Sequence, residues 1–281
     1  RPSHALSTST LDDFLRDQGV AGISGVDTRA ITRRLRTRGV MMGTITADES
    51  PEGALARLPG LPSYGEIDFV ERVSTPEPYH WTQSTPGMDP PKSTRRIVVD
   101  DYGLKYNILR NLRSRGCEVI VMPAGSSAED VLGREPDGVV LSPGPGDPEL
   151  LDYVVESARG LIGRVPLLGI CLGNQVLGRA FGANTYKLKF GHRGGNHPVR
   201  DEATGRVYIT AQNHGYAVDP NTLPSEVEVS HVNLNDDTVE GLRHRSLPIM
   251  SIQYPSEASP GPLDNEYVFD EFLALVSDAS K

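Results

Sequence analysis

From Arg96 onward, short unbroken apolar runs alternate with longer stretches whose apolar positions recur at helical spacing. Ile97-Val98-Val99, Val119-Ile120-Val121, Gly138-Val139-Val140-Leu141 and Leu167-Leu168-Gly169-Ile170 read as strands. Between them Lys105 to Arg115, Ala128 to Leu132 and Leu150 to Leu161 read as helices, and a further helix with Val176, Leu177 and Ala180 on one face follows the last run at once. Such alternation predicts a doubly wound, mostly parallel sheet with helices on both faces. Ligands of such sheets bind beyond the carboxyl ends of the strands. Further on, Arg206 to Thr210 reads as a strand, and Gln212 to Val218 as the loop and strand after it.

The pattern before Arg96 is different. Thr10 is placed to cap a helix carrying Leu11, Phe14 and Leu15 that closes at Gly19, and Asp27-Thr28-Arg29 opens a second, arginine-rich helix ended by Gly39. Met41 to Thr46 looks like a strand and Pro51 to Leu58 another helix. The arginines at 29, 33, 34, 36 and 38 fit a solvated helix face or a partner-binding one. Between Ser74 and Arg96, Pro76, Pro78, Pro86, Pro90 and Pro91 lie among Ser, Thr and Gly, so an irregular linker is expected, with Trp81 packing it onto a domain surface. The resulting division is a partial N-terminal α/β domain over 1–75, a linker over 76–95 and an α/β domain over 96–281. Arg1 to Ser9 is polar and lacks methionine, as a fragment or processed product would.

At 281 residues the chain can build a full core and two domains. The 37 acidic residues outnumber 28 Lys and Arg, for a charge of −9 with no long basic run, which argues against nucleic acid as a partner. Two cysteines, Cys117 and Cys171, exclude a disulfide framework and suit a reducing compartment. With no signal-peptide pattern and no apolar run near the roughly 20 residues of a membrane span, a soluble cytoplasmic protein is expected.

The chemistry concentrates at Gly169-Ile170-Cys171-Leu172-Gly173, where an apolar strand turns abruptly into a helix. This is the cysteine form of a nucleophile elbow: flanking glycines permit the turn, and the helix N-terminus favours a thiolate and offers amides to an oxyanion. A buried structural cysteine is the plainer alternative. The third strand ends in Ser142-Pro143-Gly144-Pro145-Gly146-Asp147-Pro148, a rigid turn at the same sheet edge as Cys171. Past the elbow helix, His192 and His197 lie among glycines in Lys189 to Val199, but no nearby cysteine or carboxylate completes a ligand set, so no metal is expected.

Together, Ser142 to Pro148, Gly169 to Gln175, Lys189 to Val199, Ala211 to Asp219 and Glu257-Ala258-Ser259-Pro260-Gly261-Pro262 resemble the glutaminase (small) subunit of carbamoyl phosphate synthetase, a triad-type class I glutamine amidotransferase with a flavodoxin-like sheet. Gly25 to Arg29 extends the resemblance over nearly the whole chain. It implies that Cys171 attacks the side-chain amide of L-glutamine, and that Leu172 and Gly144 supply backbone oxyanion and positioning groups. By the same resemblance Gly146, Gln175, Asn213, Gly215 and Tyr216 hold substrate. No cofactor is implied, and ammonia would pass to an ATP-dependent large subunit, serving pyrimidine and arginine biosynthesis. Pro143-Gly144-Pro145-Gly146 itself lacks the lysine of a phosphate loop.

Two departures stand out. The family carries a longer N-terminal domain that includes part of the glutamine site. More seriously, the family's His-Pro-Glu, which supplies the general base and its carboxylate, reads Pro255-Ser256-Glu257 here. Proline cannot relay a proton, and triad members act as a unit, so activity is expected to be impaired or lost. Asn174 also stands where the family often has histidine, leaving His214 as the candidate substitute base, or as a residue that simply bonds within its loop. A non-catalytic subunit that supports ammonia-dependent synthesis is the alternative reading.

Overall fold

The structure is a computed structural model that describes residues 2–3, 7–84, 87, 89, 91–256 and 265–279. Glu257 and the Ala258 to Pro262 stretch lie outside the described residues.

Residues 1–63 form one compact unit. Its helices are α1 (Leu11–Asp17), α2 (Thr28–Arg38) and α3 (Pro51–Arg57). The caps are those the sequence predicts: Thr10 Oγ1 accepts from the Asp13 amide at 3.1 Å, Asp27 Oδ1 accepts from Ala30 at 2.8 Å, and Gly39 closes α2. Met41 to Thr46, expected as a strand, is not one, because the described residues of this unit offer it no strand to pair with.

Residues 64–281 form the second unit. In chain order it contains α4 (Val70–Val73), β1 (Tyr79–Trp81), β2 (Arg95–Asp101), α5 (Tyr106–Ser114), β3 (Cys117–Pro123), α6 (Ala128–Leu132), β4 (Gly138–Leu141), α7 (Asp152–Leu161), β5 (Leu167–Ile170) and α8 (Leu172–Ala180). Then follow β6 (Thr185–Asp201), β7 (Val207–Val218), β8 (Val227–Asn233), β9 (Val239–His244), β10 (Ile249–Ile252) and α9 (Tyr267–Ala279). Among the described residues they build one ten-stranded sheet, ordered β1-β3-β2-β4-β5-β10-β9-β8-β6-β7. The five strands β3-β2-β4-β5-β10 are parallel, in the doubly wound order that places a crevice where the winding reverses, between β2 and β4. The remaining strands add antiparallel on both sides.

Successive residues of the parallel strands feed two separate cores. Val98, Val139 and Leu167 pack under α7 and α8, whereas Ile97, Val99, Val140 and Leu168 pack under α5 and α9. Burial on both faces is why these strands read as unbroken apolar runs. Tyr79–Trp81 is a correction to the irregular linker: it adds antiparallel to β3 as an edge strand, which the prolines outside it do not interrupt. Trp81 stacks on Tyr106 with ring centroids 5.1 Å apart, fixing this segment to α5.

The Gln212 to His214 loop is also corrected. These residues lie inside β7, paired with a long β6 whose register shifts between Lys187 and His192 and again between Gly194 and His197. Gly191 (φ 69°) and Gly194 (φ 127°) provide the backbone freedom these irregularities need, which hid the pairing from the sequence. Among the described residues no helix is long and apolar enough to cross a membrane.

Candidate active site

Cys171 sits between β5 and α8 with φ 55° and ψ −103°, a conformation that costs a non-glycine residue about 1–3 kcal/mol and that the surroundings must enforce. Its N–H donates to the Ile252 carbonyl at 2.8 Å, tying the elbow to the end of β10. The flanking glycines act through volume, since neither has a positive φ. A Cβ on Gly169 would lie 2.5 Å from the Gly173 carbonyl oxygen, and one on Gly173 would strike the Leu141 carbonyl. The Gly173 N–H is held by Ser142 O at 3.2 Å, so the first turn of α8 is docked on the end of β4.

Cys171 opens onto a cavity of about 240 Å³. Of the residues proposed from sequence, Gly144, Gly146, Gln175, Asn213, His214, Gly215, Tyr216 and Pro255 all line it. Leu172 does not: its side chain is buried in the core against Gly144, leaving its backbone as the part near the elbow. Gln175 is held from behind, donating Nε2 to Tyr216 O at 2.8 Å and to Gln253 Oε1 at 3.0 Å. Asn174 points into the protein, where Nδ2 donates to Gln253 Oε1 and Oδ1 accepts from Ser251 Oγ.

The ring of His214 engages the sheet. Nδ1 lies 2.8 Å from Tyr216 O, Nε2 is 3.9 Å from Glu240 Oε1, and burial pushes its pKa down to about 4. Such an imidazole is neutral near pH 7 and a weak proton acceptor. Pro255 borders the cavity after Tyr254, which is anchored in the core with its hydroxyl 3.2 Å from that of Tyr267. Ser256 is fully buried, and its Oγ has no partner among the described residues. Cys117 is elsewhere, beneath α5, and burial raises its pKa to about 11.

Residues 97–275 match the class-I glutamine amidotransferase family, and residues 1–45 match the carbamoyl-phosphate synthase small chain, CPSase domain. The chain is 48% identical over 282 residues to the carbamoyl phosphate synthase small chain of Syntrophotalea carbinolica, covering 98% of this chain and 75% of that one. It is 50% identical over 283 residues to the small chain of Symbiobacterium thermophilum, covering 98% and 76%. The chain belongs to the carbamoyl phosphate synthase small chain family. A solved structure from Thermoplasma acidophilum, of a protein assigned to GMP synthase, shares the fold, with a TM-score of 0.57 and 23% identity over 66% of this chain and 96% of its own.

Cys171, the Gly144 to Gly146 turn, Gln175 and the Asn213 to Tyr216 segment thus share one cavity, and Pro255, which has no titratable group, borders it. Sequence reasoning missed four cavity residues: Tyr64, Gly103, Lys105 and Arg193. Gly103 and Lys105 follow β2, so the carboxyl-end rule applied to that strand would have found them. Tyr64, whose hydroxyl accepts from the Gly146 N–H at 2.8 Å, gives no local signal in the sequence.

Proposed function

We propose that the cavity is a glutamine site in which Cys171 performs the first half of an amidotransferase reaction. The Cys171 sulfur attacks the side-chain amide carbon, a C–S bond replaces the C–N bond, and the nitrogen departs with an added proton as ammonia. Water then cleaves the thioester, giving glutamate and the original thiol. Gly144 and Leu172 would provide backbone groups for the oxyanion, while Gly146, Gln175, Asn213, Gly215 and Tyr216 would hold the substrate. Ammonia would go to an ATP-dependent large subunit for carbamoyl phosphate synthesis. The observation that carries this reading is the strained Cys171 backbone at the mouth of a cavity walled by Gln175 and the Asn213 to Tyr216 segment.

Pro255 favours a slow version of this chemistry, because proton transfer by a base typically contributes about 10²–10⁴-fold. The same residue supports a second reading, in which the chain sustains synthesis from ammonia by binding the large subunit, without hydrolysing glutamine. Ammonia release from glutamine by the purified chain, with and without the large subunit, separates the two. Release that is abolished by Cys171→Ser supports catalysis; no release, with undiminished ammonia-dependent synthesis in the complex, supports the second reading.

A further inference from the structure

Behind the cavity wall lies a second cluster that the reaction above does not use. The β6–β7 pairing sets His192 directly opposite His214, and β9 brings Glu240 between them. His192 Nδ1 lies 3.4 Å and His214 Nε2 3.9 Å from Glu240 Oε1, and one ligand atom from each of the three residues lies within 4.8 Å of the others. All three side chains are buried, at 6%, 2% and 0% exposure. The sequence offered no carboxylate beside the histidines because Glu240 is more than 40 residues from His192.

Each group is oriented from outside the cluster. His192 Nε2 faces Asp236 Oδ2 at 2.8 Å, and His214 Nδ1 faces the Tyr216 carbonyl at 2.8 Å. Glu240 Oε2 accepts from Gln212 Nε2 at 2.8 Å and Oε1 from Asn233 Nδ2 at 2.9 Å; that amide also lies 3.4 Å from His192 Nδ1, a contact that a metal on this nitrogen would replace. Carboxylate and carbonyl partners on the far ring nitrogen, and amides on the carboxylate, are the outer contacts typical of metal ligands. A buried ion pair between His192 and Glu240 would explain part of this arrangement, but not His214. Its Nε2 is aimed at the cluster with no hydrogen-bond partner among the described residues, and 3.9 Å is too long for a bond to Glu240 whether or not the nitrogen is protonated. Leaving such an atom unpaired in the interior costs about 1–3 kcal/mol.

We propose that His192, His214 and Glu240 bind one divalent transition-metal ion of the zinc type. Bonds of about 2.0–2.2 Å to two imidazoles and a carboxylate oxygen set ligand atoms roughly 3.3–3.5 Å apart in a tetrahedron. The His192 to Glu240 spacing already meets this; His214 is about half an ångström too far from Glu240, and the two imidazoles, within 4.8 Å of each other, must close to the same spacing. Coordination would fix His214 and with it the Asn213 to Tyr216 wall of the cavity.

The test is a Zn²⁺ titration of the chelator-stripped chain against a chromophoric chelator. One tight equivalent per chain is expected, with affinity at least tenfold weaker in His214→Gln and in Glu240→Gln, and unchanged in Cys171→Ser and in the remote His80→Asn. Because Glu240 is fully buried, its variant is read only if its circular dichroism matches the parent. Zinc-edge X-ray absorption of the unmodified chain decides independently and should give two imidazoles, an oxygen and no sulfur. Absence of a tight equivalent, sulfur in the coordination shell, or undiminished binding by folded His214→Gln would overturn the proposal.

Discussion

Replacing Pro255→His together with Ser256→Pro should raise the glutaminase rate by at least about 100-fold, equivalent to about 3 kcal/mol of barrier. The geometry favours delivery of the imidazole to the thiol: the Cys171 N–H bonds Ile252 O at 2.8 Å, Tyr254 is locked in the core, and position 255 borders the thiol's cavity. The second change should help the fold as well. Ser256 Oγ is buried with no partner among the described residues, a cost of about 1–3 kcal/mol that proline removes. The double variant should therefore melt no lower than the parent, so a failed gain could not be blamed on unfolding. The assay is ammonia release at saturating glutamine with the large subunit present, alongside the rate of Cys171 alkylation. A gain below about tenfold in a variant that melts normally and alkylates at the parent rate would refute the idea that a missing base limits this site.

Three further outcomes are expected. Gly173→Ala should destabilise the chain by about 1–3 kcal/mol or more and suppress Cys171 reactivity, because the new Cβ would strike the Leu141 backbone and lie 2.9 Å from its Cβ; an unchanged denaturant midpoint would contradict the packing argument. Burial lifts Asp100 to about 8, so the folded chain keeps a proton that the unfolded chain releases near pH 4; Asp100's own contribution to stability should be largest below pH 4 and fall as pH rises through 4 to 8, by up to about 5 kcal/mol, and melts of Asp100→Asn against the parent across the range should show that difference. A limiting dose of iodoacetamide should modify Cys171, which lines the cavity, before Cys117, which is fully buried with its pKa raised to about 11; peptide mass spectrometry finding Cys117 labelled first in folded protein would reject Cys171 as the thiol that the cavity admits reagents to.

The parallel half of the fold was legible because each strand is buried on both faces and each helix shows one apolar side: Ala128–Leu132, Gly138–Leu141 and Leu167–Ile170 occur with the bounds the pattern gives. The antiparallel half was not, since glycine-rich irregularities in β6 break the two-residue period and Gln212 to His214 look like loop. At the site, Cys171 and the Gly144 to Gly146 turn could be read from local motifs carrying their own turn chemistry, whereas Gln175 came only from the family resemblance. Tyr64 and Glu240 could not, because both reach their sites through tertiary pairing with residues far along the chain. The reason given for the elbow glycines also changed: close packing of α8 on β4, rather than backbone freedom, forbids a side chain there.

The departures from the small-chain pattern at positions 174 and 256 differ in physical kind. Asn174 is buried, yet both ends of its amide are answered, by Ser251 Oγ at 2.8 Å and Gln253 Oε1 at 3.1 Å. That bonding also holds Gln253 Oε1, which takes a second hydrogen bond from Gln175, although Gln253 Nε2 is buried with no partner among the described residues. Position 256 has no such compensation, for its hydroxyl is buried without a partner among the described residues. A buried polar group whose partners are present is nearly neutral to stability, whereas an unanswered one is a continuing cost. Asn174 therefore needs no change for the proposed chemistry, and the residue that the reading faults lies in the turn after β10. This is why two substitutions in that turn, and none beneath Cys171, are the changes expected to restore proton transfer.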